Sequence, residues 1–283
     1  MQKSSCSAKK SLFRRFRNEK PALTTYKQQT LNNYKQQAVE LLKSIETGDT
    51  KPLSYINPNK YVQHNLAMGD GLAGVKALWQ SRPKGSAKVN TVRVFQDGDF
   101  VFTHTEFNIL SARVGFDVYR FEDGMIVEHW DNFQEATARP SPNGHTMTDG
   151  PTVASEPNRT EANKTLMRRY MDDLLNGRRD KFAGYFDGNS YIQHSPLIAD
   201  NLTGLFAGLA ALAKQGLTVK YDKIHRILGE GNFVLVISEG SFGDHASAYY
   251  DLYRIENGKI AEHWDTIQSI PPRAEWKNSN GKF

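Results

Sequence analysis

Two copies of a short block, Tyr61-Val62-Gln63-His64 and Tyr191-Ile192-Gln193-His194, carry the first residues whose types suit proton transfer. Histidine fits that work because its unperturbed pKa, about 6.5, lies close to neutrality. In a short extended segment Tyr61 and Gln63 share one side, while Val62 and His64 share the other. A histidine beside a valine is expected to face inward. There it is either a core residue bonded through both ring nitrogens or a base at a cavity wall. Asp117 and Asp251 are expected mid-strand, with Tyr119 and Tyr253 on the same face. Aspartate is a poor strand former, so each needs a reason to be there. An arginine partner such as Arg93 or Arg226 is one reason, and an exposed face is another. An apolar pocket that raises the carboxyl pKa into the catalytic range is a third. His64, Asp117, His194 and Asp251 are the candidate catalytic residues.

A second group of residues is a candidate pocket lining. In the strand Glu128-His129-Trp130-Asp131, Glu128 and Trp130 lie on one face, and His129 and Asp131 on the other. Only one face can look into a given pocket, and the spacing does not choose between them. Trp130 and its counterpart Trp264 either wall the pocket or seal an interface between halves. Asp131 and Asp265 fall on the opposite face. His104 and Glu106 share a strand face as a candidate acid/base pair. The second copy has Glu239 with Ile237 in place of the histidine, and gains His225 on the preceding strand. Tyr61 and Tyr191, or a neighbouring hydrogen-bond donor, could stabilise an oxygen on which charge develops, and Tyr119 and Tyr253 share the face of Asp117 and Asp251. No His-X-His or His-Glu-X-X-His spacing, phosphate-binding glycine loop or nucleophile elbow is present. No metal and no cofactor are expected.

The elements that must position these residues occur twice. Phe116–Gln134 and Tyr250–Gln268 are identical at 11 of 19 positions. Arg93-Val94-Phe95 aligns with Arg226-Ile227-Leu228, and Glu106 with Glu239. The offset between copies grows from 130 to 134, which places insertions around residues 208–222. A repeat of this length is a domain and not a solenoid unit. Each copy runs helices first and strands after. Apolar residues at 34, 38, 41, 42 and 45 have helical spacing, with Gly48 just beyond, and Leu166–Leu175 with Gly177 repeats the pattern. Leu72–Trp79 and Leu202–Leu212 form second helical stretches. Strands then dominate, joined by turns at Asp123-Gly124 and Asn257-Gly258. The order argues an α+β fold. The expected organisation is a basic, disordered tail at 1–30, a first domain at 31–134 and a Pro/Gly/Ser/Thr-rich linker at 135–160. A second domain follows at 161–272, then a polar C-terminal tail at 273–283.

The Tyr-X-Gln-His block, the Asp-X-Tyr-Arg strand, the Asp/Asn-Gly turn and the Glu-His-Trp-Asp strand together resemble the SnoaL-like polyketide cyclase branch of the nuclear transport factor 2-like superfamily. The resemblance covers both copies. It implies two tandem cones, each a curved antiparallel sheet wrapped around N-terminal helices and enclosing an apolar pocket. It also implies a cofactor-independent enzyme of cyclase, isomerase or dehydratase type acting on a small apolar carbonyl compound. A non-catalytic small-molecule binder and a protein-interaction module are the alternatives, because fold does not fix function. Relatives often dimerise through their sheets, so the halves are expected to pair as an internal pseudo-dimer.

Composition narrows the rest. The net charge of +5 is concentrated in residues 1–34, which hold eight Lys/Arg and one acid. The remaining 249 residues hold 28 bases and 30 acids, which argues against a nucleic-acid-binding face. A single cysteine, Cys6, excludes internal disulfides and Cys-rich zinc sites. No apolar run is long enough to span a membrane. A cytoplasmic protein is expected, with organellar import through the basic Ser/Arg-rich N-terminus as the alternative.

Overall fold

The computed structural model describes residues 21–81, 85–137, 140–187 and 190–283; the side chains of 21–32 and of Arg179 lie outside the description. Most of the expected N-terminal tail, residues 1–20, is also outside it. Helix α1 (Pro21–Thr47) begins within the stretch read as tail. Its face Tyr34, Ala38, Leu41 and Leu42 is buried, as the spacing predicts. The helix stops where Gly48 takes a left-handed φ of 69° and its N–H returns to the Ser44 carbonyl.

The first half continues with β1 (Val62–Gln63), α2 (Gly71–Gln80), β2 (Lys88–Asp97), β3 (Phe100–Asn108), β4 (Ala112–Glu122) and β5 (Met125–Glu135). The second half repeats the order with α3 (Thr160–Leu175), β6 (Ile192–Gln193), α4 (Asn201–Lys214), β7 (Val219–Glu230), β8 (Phe233–Phe242), β9 (His245–Glu256) and β10 (Lys259–Ser269). Sheet order is β1-β5-β4-β3-β2 in one half and β6-β10-β9-β8-β7 in the other. The four long strands of each sheet are antiparallel. The two-residue strands β1 and β6 add a parallel edge that the strand pattern does not reveal. Asp123-Gly124 and Asn257-Gly258 all have positive φ, as tight hairpin turns require.

Side-chain alternation gives each sheet two apolar faces. On one, Val101, Phe107, Tyr119 and Phe121 pack with Leu41 and Leu42 of α1. In the second half Val234, Val236 and Tyr253 pack with Met167, Tyr170 and Met171 of α3. The opposite faces meet each other. Phe95, Phe102, Phe116, Val118 and Trp130 form one buried cluster with Leu228, Phe233, Leu235, Tyr250, Leu252 and Trp264. The contact is reciprocal: Arg93 stacks on Trp264 at 4.3 Å, and Arg226 stacks on Trp130 at 4.0 Å.

The segments read as the linker and the polar C-terminal tail cross between the halves. After β5, the Nη atoms of Arg93 donate to the carbonyls of Thr148 and Asp149, and its Nε donates to that of Pro151. His194 Nδ1 lies 2.9 Å from the Thr146 carbonyl. After β10, the chain returns to the first half. Asn278 and Asn280 donate to carbonyls of Asn65, Met68 and Gln63, and the Gly281 carbonyl meets His64 Nδ1 at 2.9 Å. In both segments, backbone groups and side chains are paired one by one by hydrogen bonds. No helix among the described residues is long and apolar enough to cross a membrane.

Candidate functional site

In the first half, β4 and β5 set Asp117 directly opposite Asp131. Both look away from the inter-half cluster, into a cavity of about 270 Å³. Leu41, Leu42 and Ile45 of α1, Val75 and Trp79 of α2, and Phe107 and Phe133 supply its apolar wall. Its polar floor is Tyr61, Gln63, Asn65, Asp117, Tyr119, His129 and Asp131.

The floor is wired in one direction. The Asn65 backbone N–H donates to Gln63 Oε1, so that atom is the amide oxygen and can only accept. His129 Nδ1, 3.0 Å away, must therefore carry a hydrogen and donate to it. That leaves His129 Nε2 facing Asp117 Oδ1 at 3.0 Å, with one proton shared between them. Burial pushes the Asp117 carboxyl above the usual carboxylate range, against the opposing pull of His129. Asp117 Oδ2 is buried and without a hydrogen-bond partner, and so is Asp131 Oδ1. Asp131 Oδ2 accepts from Asn65 Nδ2 at 2.6 Å. The ammonium of Lys282, delivered by the C-terminal segment, donates to the Asp131 carbonyl and to Gln268. Gln63 Nε2 donates to the Tyr61 hydroxyl oxygen at 3.0 Å, which leaves the hydroxyl proton free to point into the cavity. Burial holds the Tyr61 and Tyr119 phenols well above their ordinary pKa, so both remain donors.

The second half repeats the wiring and adds a tyrosine to it. Ser195 N–H donates to Gln193 Oε1, His263 Nδ1 donates to the same oxygen, and His263 Nε2 meets Asp251 Oδ1 at 2.9 Å. Here, however, the Tyr221 hydroxyl reaches Asp251 at 3.2 and 3.3 Å. Tyr221 is paired across β8 with Gly240, whereas the first half has Val89 paired with Phe107. A Cβ at Gly240 would collide with the Lys220 carbonyl, so the strand carrying Tyr221 comes in closer than a larger residue would allow. Tyr170 makes edge contacts with Tyr185, Phe186 and Tyr253 and a tilted one with Phe182, within the core of the second half.

The expected residues divide between the two faces. Tyr61, Asp117, Tyr119 and Asp131 come together at the cavity, and Tyr191, Asp251, Tyr253 and Asp265 occupy the matching strip of the second half. His64 and His194 do not reach it. They stack on Trp130 and Trp264 at 4.7 and 4.5 Å, on the inter-half side of the sheets. Both ring nitrogens of His64 face acceptors, Glu128 and the Gly281 carbonyl, so no lone pair is left for a base. The apolar side on which they were placed is the face between halves, not the pocket. The face question for Glu-His-Trp-Asp is answered the same way: His129 and Asp131 line the cavity, and Trp130 and Trp264 seal the halves. His104 and Glu106 lie on that outer face and are not partners. His104 is bonded to Arg93. Glu106 takes bonds from Asn90 and Thr148. His225 and Glu239 do meet, 3.1 Å apart, with His225 stacked on Phe283 away from the strip. Arg93 and Arg226, the expected partners of the mid-strand aspartates, are spent on the opposite tryptophans. His129, Gln63, Asn65 and Tyr221 were not among the expected site residues. His129 sits two residues before Asp131 on one strand face, which was the available signal. The role of Gln63 depends on the β1–β5 bridge, which two residues do not announce.

Each half is thus an α+β unit in which a five-stranded sheet carries its polar strip on the face that packs against the half's first helix. The order of helices and strands is the one the motif resemblance implies. No protein-family model and no curated protein matches the chain. Among solved structures, the chain is similar to IdmH from Streptomyces antibioticus, at 21% identity over 35% of this chain and 90% of that one, with a TM-score of 0.30. TsrD from Streptomyces laurentii is 21% identical over 39% and 89%, with a TM-score of 0.30. An NTF2-like protein from Burkholderia xenovorans LB400 is 17% identical over 43% and 97%, with a TM-score of 0.34.

Proposed function

We propose that the first half is a cofactor-independent acid/base site acting on a small apolar carbonyl compound, through an enolate of the cyclisation, isomerisation or dehydration type. One observation carries the reading. Asp117 Oδ2 is a buried carboxylate oxygen without a partner at the wall of an apolar cavity, while Oδ1 is tied to His129. An unsatisfied buried carboxylate oxygen is costly, and a substrate α-C–H would supply its missing proton. Asp117 takes the α-proton at Oδ2, and His129, held by Gln63, stabilises the pair as the proton is gained and returned. The Tyr61 hydroxyl, its oxygen already accepting from Gln63, donates to the carbonyl oxygen where enolate charge develops. The cavity lies at the small end of ligand sites, which run to about 300–1,000 Å³, and its wall selects apolar molecules.

In the second half Tyr221 satisfies Asp251 and fills the matching space, so that half serves as a scaffold. Its sheet supports the first through a two-fold-like pairing, an internal pseudo-dimer favoured by the Arg93–Trp264 and Arg226–Trp130 reciprocity. The test is proton exchange in heavy water with a panel of ketones and β-dicarbonyls, followed by NMR. The wild type should exchange the α-protons of at least one compound in a saturable manner. Binding without exchange across the panel would turn the reading into that of a ligand-binding protein.

A further inference from the structure

We infer that His145, Asp149 and His194 form a site for one divalent transition-metal ion of the zinc class. The site clasps the segment after β5 onto the second half. It lies on the inter-half side of the second half's sheet, apart from the proposed catalytic strip of the first half, and uses none of its residues.

The three side chains offer one donor atom each, all within 4.8 Å of one another. His194 Nδ1 is 2.8 Å from Asp149 Oδ1, and His145 Nδ1 is 3.2 Å from Asp149 Oδ2. Both imidazoles therefore turn the same ring nitrogen toward one carboxylate. Ligands about 2.0–2.2 Å from zinc stand roughly 3.5 Å apart, so a shift of about an ångström closes the set. Two imidazoles and a carboxylate are a donor set that zinc-class ions favour.

The far side of each ring makes the stronger argument. Metal-binding histidines usually donate their other N–H to a carboxylate, which fixes the tautomer and orients the ring. His194 Nε2 meets Glu262 Oε1 at 2.8 Å, and Glu262 is fully buried and anchored by Arg254 at 2.6 Å. His145 Nε2 lies 3.4 Å from Asp200 Oδ2. Each imidazole is thus backed by its own acid. His194 Nδ1 faces only oxygen acceptors, Asp149 and the Thr146 carbonyl, so it must hold a proton or a cation. The backbone is fitted to the purpose. Thr146 Oγ1 accepts from the Asp149 N–H, and Gly150, with φ 90°, lies where a Cβ would come within 2.5 Å of Glu262. His145 and Asp149 remain partly open to solvent, which gives an ion a way in.

The first half supplies a built-in contrast. His64 is likewise backed by Glu128, yet the segment crossing over it, Trp276–Phe283, contains no histidine and no acid. Among the described residues, the His-Asp-His set over the buried histidine is complete in the second half.

The test titrates the full chain, freed of metal by chelation, with Co²⁺, and follows visible ligand-field absorption. Zn²⁺ then competes. The expected result is one saturating equivalent that Zn²⁺ displaces, and a rise in Tm with Zn²⁺. His145→Ala and Asp149→Asn, both at accessible positions, should weaken binding at least tenfold and abolish the Tm rise while circular dichroism is unchanged. Asp200→Asn should weaken it by about 10- to 100-fold. No saturable absorption would overturn the inference. So would affinity unchanged in His145→Ala, or binding lost only in Asp117→Asn, which would move the ion to the buried Asp117–His129–Asp131 group.

Discussion

Asp265 shows what the sheet does to a single carboxyl. It faces Asp251 across the strand pair, and its Oδ1 is buried without a partner. Burial first, and the neighbouring Asp251 as well, push its pKa from 3.8 up to about 6, although His263 and Ser195 pull the other way. The folded state therefore keeps a proton that the unfolded chain releases near pH 4. The stabilisation is fully present below that pH and is lost as pH rises to about 6. The difference between 3.8 and about 6 corresponds to about 3 kcal/mol. Asp265→Asn should match the wild type near pH 4 and exceed its stability by about 2–3 kcal/mol above pH 6, in urea titrations at each pH. Parallel curves for the two proteins would contradict this. At this scale the sequence was informative where strand geometry decides and silent where pairing decides. Asp117 and Tyr119 follow from two-residue alternation, which holds whatever the partner strand. His64 follows the same alternation, but its apolar neighbours belong to a second sheet that the local pattern does not show.

Among the elements, α4 and β7 explain why two copies of one pattern differ. α4 has 14 residues against 10 in α2, and β7 pairs through two register shifts where β2 has one. The widening repeat offset located these insertions around 208–222. It did not reveal that the extra residues would carry Tyr221 onto Asp251. Tyr221→Ala should open the second strip and free Asp251. Ligand titration by calorimetry should then gain a second class of apolar-ligand site, at a stability cost of roughly 3 kcal/mol for the lost aromatic side chain. Unchanged stoichiometry would mean that Tyr170 and its aromatic neighbours fill the space unaided. The crossing segments were the least legible elements. Ser-Pro-Asn-Gly-His and Asn-Ser-Asn-Gly-Lys have the composition of loops, and each is held by single hydrogen bonds to the opposite half, a pattern without periodicity.

In the whole molecule, the two halves share one apolar layer. Phe95 of one half stacks on Phe233 of the other at 4.6 Å, within the cluster that includes both tryptophans. Phe233→Ala should cost about 3–5 kcal/mol and shift a single calorimetric transition for the entire chain. Two transitions, of which only one moves, would show halves that fold independently. The repeat, the α+β order and the uneven charge were all visible in the chain before folding. The proposed division of labour was not, because it rests on one aromatic side chain, Tyr221, whose hydroxyl reaches Asp251 in the second half. The most direct test of that division compares Asp117→Asn with Asp251→Asn in the heavy-water exchange assay, on a compound the wild type turns over. Asp117→Asn should lose exchange by about 10²- to 10⁴-fold, the usual contribution of a positioned acid or base, and Asp251→Asn should stay near the wild-type rate. The reverse order, or equal losses, would contradict a single working site in the first half.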